Sequence, residues 1–186
     1  MLAAECAWAI LRAEHVRTRE LLARLETAMK AEGEAGVRQR ARSAIEVIER
    51  LQAFEETTHR PKGVVMLNML RGRSSEADGL LDQLDSESER CNGLLAQAKI
   101  LLERAESSDN TAAAAEADAL LRQHRQWMSA HLDKEDTLLH SHTALLLSPE
   151  EWATVVSSIS KEVGAAKRRR EHRRLPVRGQ VSKPAG

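Results

Sequence analysis

Apolar residues recur along most of this chain at intervals of three and four, the repeat of a helix with one face against a core. Trp8, Leu11, His15, Thr18, Leu22, Leu25 and Met29 form the first such stripe and predict a helix over about residues 3–31. Glycines at 33 and 36 should break it. A second stripe of Ile45, Ile48, Leu51, Phe54, Glu55 and His59 predicts a helix over about 37–71. Pro61 is expected to kink that helix or thin its hydrogen bonding just past His59. Ser75 and Asp78 make the Ser-x-x-acid pattern that opens a third helix, whose inner face reads Leu81, Leu84, Ser88, Cys91, Leu95, Ala98 and Leu102. After a polar stretch at 107–110, a fourth helix turns Leu120, Leu121, His124, Met128, His131, Glu135 and Leu138 inward. A last helix is announced by Ser148-Pro149-Glu150-Glu151, with Ser as cap, Pro in the first turn and Glu at the third position. It carries Trp152 and Val155 and runs into the basic stretch 167–174.

Four amphipathic rods of about 28–36 residues with short connections predict an all-α, up-down-up-down four-helix bundle with an additional short C-terminal helix. The expected division is residues 1–165 as the bundle and 166–186 as a basic helix end with a disordered tail. The composition fits one domain. A chain of 186 residues and 20.7 kDa buries roughly 70% of its unfolded surface. Lys+Arg and Asp+Glu both number 28, so no global field draws the chain to nucleic acid or acidic membranes. Aromatics make up 2%, with no Tyr, which favours helices over sheets. Cys6 and Cys91 show no framework spacing and suit a reducing cytoplasm. Glu5 inside the N-terminal apolar run argues against a signal peptide, and no stretch approaches the ~18 continuous apolar residues of a membrane span. A cytoplasmic protein is expected.

The segment His131-Leu132-Asp133-Lys134-Glu135-Asp136 carries the chemistry. An imidazole and a carboxylate four apart lie on one helical face, here the face that should be buried. An isolated buried carboxylate is very costly, and a metal ion is a natural partner for converging His and Glu. The plainer reading is an i,i+4 hydrogen bond at the core edge, worth a few tenths of a kcal/mol. His59 has a similar escape in Glu55, one turn earlier, which could also substitute as a ligand. His15 does not: Leu11, Arg12, Thr18 and Arg19 share its face, while Glu14 and Glu20 lie off it. Its partner should come from another helix, a metal or water. Three unpaired buried histidines would each cost about 1–3 kcal/mol.

Cys91 reads as a small buried hydrophobe more readily than as a thiolate ligand. His124 stands two turns before His131, too far to share a metal, and with His140, His142 and His172 reads as polar filler. Trp127 suits the core or a seal over a pocket. The basic run 167–174 could touch nucleic acid or an acidic partner, but a solvated helix end beside its own dipole explains it more simply. No nucleophile–base triad, phosphate loop or paired zinc motif occurs, so an enzyme is not expected.

Five stretches together resemble the hemerythrin-like (HHE cation-binding) family over about residues 5–165. They are Leu11-Arg12-Ala13-Glu14-His15, His59-Arg60-Pro61-Lys62, Arg73 to Leu84, His131 to Glu135, and Ser148 to Trp152. The resemblance implies a two-iron bundle site fed by a His on the first helix, His-x-x-x-Glu on the second, a His on the third and His-x-x-x-Glu on the fourth. It carries metal-ligand roles onto His15, His59, His131 and Glu135, with Asp136 an alternative to Glu135. Two ligands are missing. The bridging Glu falls on Gly63, with no acid between Glu56 and Glu76, and the third-helix His falls on Ser88. The losses fall on one iron and one bridge, leaving His15, His59 and Glu135 around the other. Two His and one carboxylate with open positions is the arrangement of mononuclear non-haem iron, to which His131 could add a fourth ligand or orient Glu135.

The resemblance therefore implies non-haem iron, one per chain rather than two, in a protein that senses or handles oxygen, nitric oxide or iron. Reversible oxygen carriage needs two irons and is disfavoured. Two other classes compete. His59-Arg60-Pro61-Lys62-Gly63 fits His-x-x-Lys-Gly, the motif around the phosphorylated histidine of phosphotransfer bundles, in which Gly63 would admit a partner. That reading needs an exposed His59. A metal-free interaction module would have its site packed shut.

Overall fold

The structure, a computed structural model, describes residues 2–30 and 36–174, with 166, 167 and 169–174 as backbone only. Helix α1 spans Leu2–Lys30. The second rod is α2 (Val37–Phe54), a π-helical segment Glu55–His59 and α3 (Arg60–Leu70). Helix α4 spans Ser75–Ser108. The fourth rod repeats the pattern of the second, with α5 (Thr111–Lys134), a π-helical segment Glu135–Leu139 and α6 (His140–Leu146). Helix α7 covers Pro149–Arg174. The described residues are all-helical, with no strand among them.

Helix starts follow local chemistry. Ser74, not Ser75, caps α4: its Oγ accepts from the Ala77 N–H at 3.1 Å. Asp78 is thereby freed to accept from the Gly72 N–H at 2.8 Å, in a turn where Gly72 adopts φ 80°. Asn110 caps α5 through the Ala113 N–H. The expected polar loop shrinks to Asp109 and Asn110, because α4 continues through Ser108 and Asp109 ends it in the left-handed conformation. Ser148 and Glu151 close a reciprocal capping box at the start of α7. That helix is 26 residues long and not the short appendage expected, because its stripe of Trp152, Val155 and Ile159 stays buried against the bundle. The expected tail falls outside the described residues, as do the side chains of most of the basic run.

α4 packs along α5 and α2; α1 lies along α2, α5 and α7; α3 rests on α7 and touches α4 only sparingly. Two apolar clusters result. One joins Leu22, Leu25, Ile48, Leu51, Leu102 and Leu121. The other joins Trp8, Leu11, Met66, Leu81, Leu139 and Trp152. In chain order, the buried polar residues Glu14, His15, Thr18, Lys62, Glu87 and His131 fall between the two sets of positions. The helical stripe never lapses there; it changes chemistry.

Both π segments sit at this polar level, where such insertions are often found at functional sites. Pro61 lies two residues beyond the first and cannot donate a backbone hydrogen bond, so the expected thinning takes the form of a wider turn. In each segment a threonine hydroxyl bonds the carbonyl four residues back, Thr57 to Ala53 and Thr137 to Asp133, a contact that bends helices. The extra residue shifts the register of the helix beyond it. Leu138, expected inward, is 50% exposed, and Leu139 is buried in its place.

Candidate metal centre

His15 from α1, His59 from the first π segment and Glu135 from the second each offer one ligand atom within 4.8 Å of the others. Glu135 Oε2 lies 3.0 Å from His15 Nε2 and 3.8 Å from His59 Nε2. The two imidazoles meet edge to face, with centroids 5.1 Å apart. His131, the fourth candidate, stands apart from this triad, its Nε2 3.6 Å from the other oxygen, Glu135 Oε1. Glu135 is thus the carboxylate that all three rings face. Asp136, the alternative to it, turns elsewhere.

The opposite nitrogen of each ring also faces a carboxylate. His15 Nδ1 is 2.7 Å from Asp136 Oδ1, His59 Nδ1 3.4 Å from Glu14 Oε2, and His131 Nδ1 3.6 Å from Glu87 Oε2. Each outer carboxylate has its own permanent cation: Arg19 on Asp136 at 3.0 Å, Lys62 on Glu14, and Lys134 on Glu87. Gln83 adds a hydrogen bond to Glu87 at 3.0 Å. Sequence reasoning missed Glu14, Lys62 and Glu87. The heptad spacing 7, 11, 14, 18, 21, 25 on α1 and the series Leu80, Leu84, Glu87, Cys91 on α4 put acids on buried stripes, and that was the available signal. Glu14 does lie off the face of His15; its partners are on the second rod instead.

These pairings create a shortage of protons. An ionised carboxylate only accepts, and a neutral imidazole has one N–H. With Nδ1–H given to Asp136, His15 turns a lone pair toward the negative Glu135. Either the rings charge or a cation sits among the Nε2 atoms. No Lys or Arg pairs with Glu135 among the described residues, whereas every outer carboxylate has one. Burial alone would lower the His59 pKa, but Glu135 outweighs it and holds the pKa above its ordinary value. Burial would raise that of Glu135, but His15 and His59 hold it far below the usual carboxylate range. Glu135 Oε2 and His131 Nδ1 are buried without a well-formed hydrogen bond. The donor set therefore fits a metal: aligned imidazoles, a central anion, and outer carboxylates holding the far nitrogens, as metal-bound histidines commonly have.

Beside the triad, between α3 and α4, lies a cavity of about 490 Å³ lined in part by Gly63, Ser88, Glu55 and His131. A Cβ added at Gly63 would meet nothing within 4 Å.

The hemerythrin HHE cation binding domain, as a sequence family, matches residues 6–142. The chain belongs to that family. No curated protein and no solved structure gives a significant match. Within this family member, the fourth candidate, His131, lines the same cavity as Gly63 and Ser88. Glu55 lines it too, outside the triad. Cys91 is fully buried, and burial pushes its thiol up to about 11, which suits a hydrophobe better than a thiolate ligand. His124 is buried with Nδ1 unpartnered, and burial lowers its pKa to about 4. His140 packs edge-on against Trp8. Trp127 lies under the Arg90 guanidinium at 4.0 Å; the tryptophan that lines the cavity is Trp8. No described helix is long and apolar enough to cross a membrane.

Proposed function

We propose that this chain is a non-enzymatic, cytoplasmic iron protein that senses or handles oxygen, nitric oxide or iron through a one-metal site. His15, His59 and Glu135 are the inner ligands, and His131 completes the set or steadies Glu135 from its other oxygen. The four rods run alternately up and down, with α7 as an outer support.

The observation that carries this reading is the common orientation of three imidazoles. Each turns Nε2 to Glu135 and Nδ1 to an outer carboxylate that already has its own cation. One divalent ion between the Nε2 atoms of His15 and His59 and Glu135 Oε2 relieves the acceptor–acceptor contacts of that triad at once. Gly63 and Ser88 in place of donors support one iron over two: Glu55, Asp85 and Glu89 line the cavity but do not join the cluster of converging ligand atoms, which holds His15, His59 and Glu135. Two His and one carboxylate leave open positions for a small ligand such as oxygen or nitric oxide.

Phosphotransfer is disfavoured. The His59 side chain is 12% exposed, with its nitrogens against Glu14 and Glu135, and Lys62 is buried on Glu14. A packed-shut module is disfavoured by the cavity. Anaerobic loading with ferrous iron, metal analysis and a nitric oxide titration followed by electron paramagnetic resonance test the proposal. One iron per chain and one nitric oxide per iron are expected. Two irons with an oxo-bridge absorption band would overturn the one-metal site.

A further inference from the structure

The cavity beside the triad is much larger than a diatomic gas requires. A water molecule takes up about 30 Å³ of liquid, against about 490 Å³ here, a size within the roughly 300–1,000 Å³ of sites for organic ligands. Its walls include Trp8, Leu11, Met66, Leu81, Leu84 and Leu139, each no more than 5% exposed, with the polar side chains of Asn68, Ser88 and Asn92 among them. Its outer lining holds Glu55 and Glu89 with Arg60, and Asp85, which Arg71 pairs at 3.0 Å, leaving a small excess of negative charge. At the bottom are His15, His59, His131 and Glu135. The space exists because α3 and α4 barely touch, and because small residues at 63 and 88 leave it unfilled.

We infer that this cavity binds an uncharged, mainly apolar aromatic molecule with two neighbouring hydroxyl oxygens, of the catechol class, whose oxygens reach the metal. The inference rests on the proposed metal site. Apolar walls select an apolar body. The small excess of negative charge disfavours an anion by like-charge repulsion. Two His and one carboxylate leave adjacent positions for a bidentate oxygen donor. On binding, both hydroxyl protons pass to solvent and the two oxygens replace water; no electron is transferred.

The test titrates the ferric-loaded full chain with catechol, follows the visible charge-transfer absorption, and passes the mixture through gel filtration, with iron measured in every sample. A saturable band travelling with the protein, one catechol per iron, is expected. Gly63→Phe places a ring in the open space and should weaken catechol about tenfold or more per iron bound. Ser88→Leu, on the facing helix, gives the same readout should Gly63→Phe fold poorly. Protocatechuate, the same diol with an added carboxylate, should bind about tenfold more weakly. A band that elutes with small molecules, or one unchanged in both variants, would overturn the cavity as the binding place. Protocatechuate binding as tightly as catechol would overturn the uncharged class. A chain that takes up no iron sinks the metal site and this inference together, whereas an iron-loaded chain without the band sinks only the ligand.

Discussion

The two sides of Glu135 share one outer scaffold and differ in what stands inside it. On the α1 side, Asp136 with Arg19 and Glu14 with Lys62 hold two imidazoles whose Nε2 atoms converge on Oε2. On the α4 side, Glu87 with Lys134 and Gln83 holds His131 toward Oε1, but the neighbouring positions are Gly63, Ser88 and open space. A carboxylate, a cation and one imidazole do not make a metal site; a second inward donor does. The first side reads as a site and the second as a cavity.

Removing the shared anion should break the comparison outright. Glu135→Gln should cost more than about 100-fold in iron affinity, beyond the effect of an outer partner, in competition titrations against a chelator. Next comes the contrast between the two scaffolds. Asp136→Asn should cost about 10–100-fold, since it frees a ligand ring, whereas Glu87→Gln should cost only a few-fold. Equal losses would mean that His131 is as much a ligand as His15.

Gly63→Glu combined with Ser88→His should convert the cavity side into a site, raising iron from one toward two per chain by metal analysis. A third change sharpens the role of protons. The metal-free pKa of His59 is held above its ordinary value, so the proposed iron is expected to displace a proton from it. Affinity should rise with pH through and above about 6.5, and proton release should show in buffers of differing ionisation enthalpy.

The smallest effect is expected outside both sides, at His124. Its folded pKa of about 4 lies below the ordinary value, so between that value and about 6.5 the unfolded chain binds more protons. Stability should therefore fall as pH drops through this window, and His124→Leu should flatten that slope in chemical denaturation.

Periodicity and capping made the rods legible in the chain itself. Ser148 and Glu151 box the start of α7 as the local pattern required, because both partners lie within one turn. His15, which had no acid on its own face, takes its partners from the fourth rod, more than a hundred residues away. Leu138 was misread for a physical reason. A strict helical count carries the stripe to 138, but the π turn at Glu135–Leu139 inserts a residue and moves burial to Leu139. Glu14 and Glu87 were missed because a local reading asks what a carboxylate meets on its own helix. Glu14 meets residues of the second rod, and Glu87 takes His131 and Lys134 from the fourth.

The sequence by itself determined the rods, their buried stripes and the imidazoles on them, since these follow from spacing within a few turns. Only the tertiary structure decided which nitrogen faces which carboxylate, which of Glu135 and Asp136 stands at the centre, and that Gly63 and Ser88 open onto a cavity. Those outcomes depend on the rotation of each rod about its axis. Packing sets that rotation, and the two π turns alter it where the rods meet.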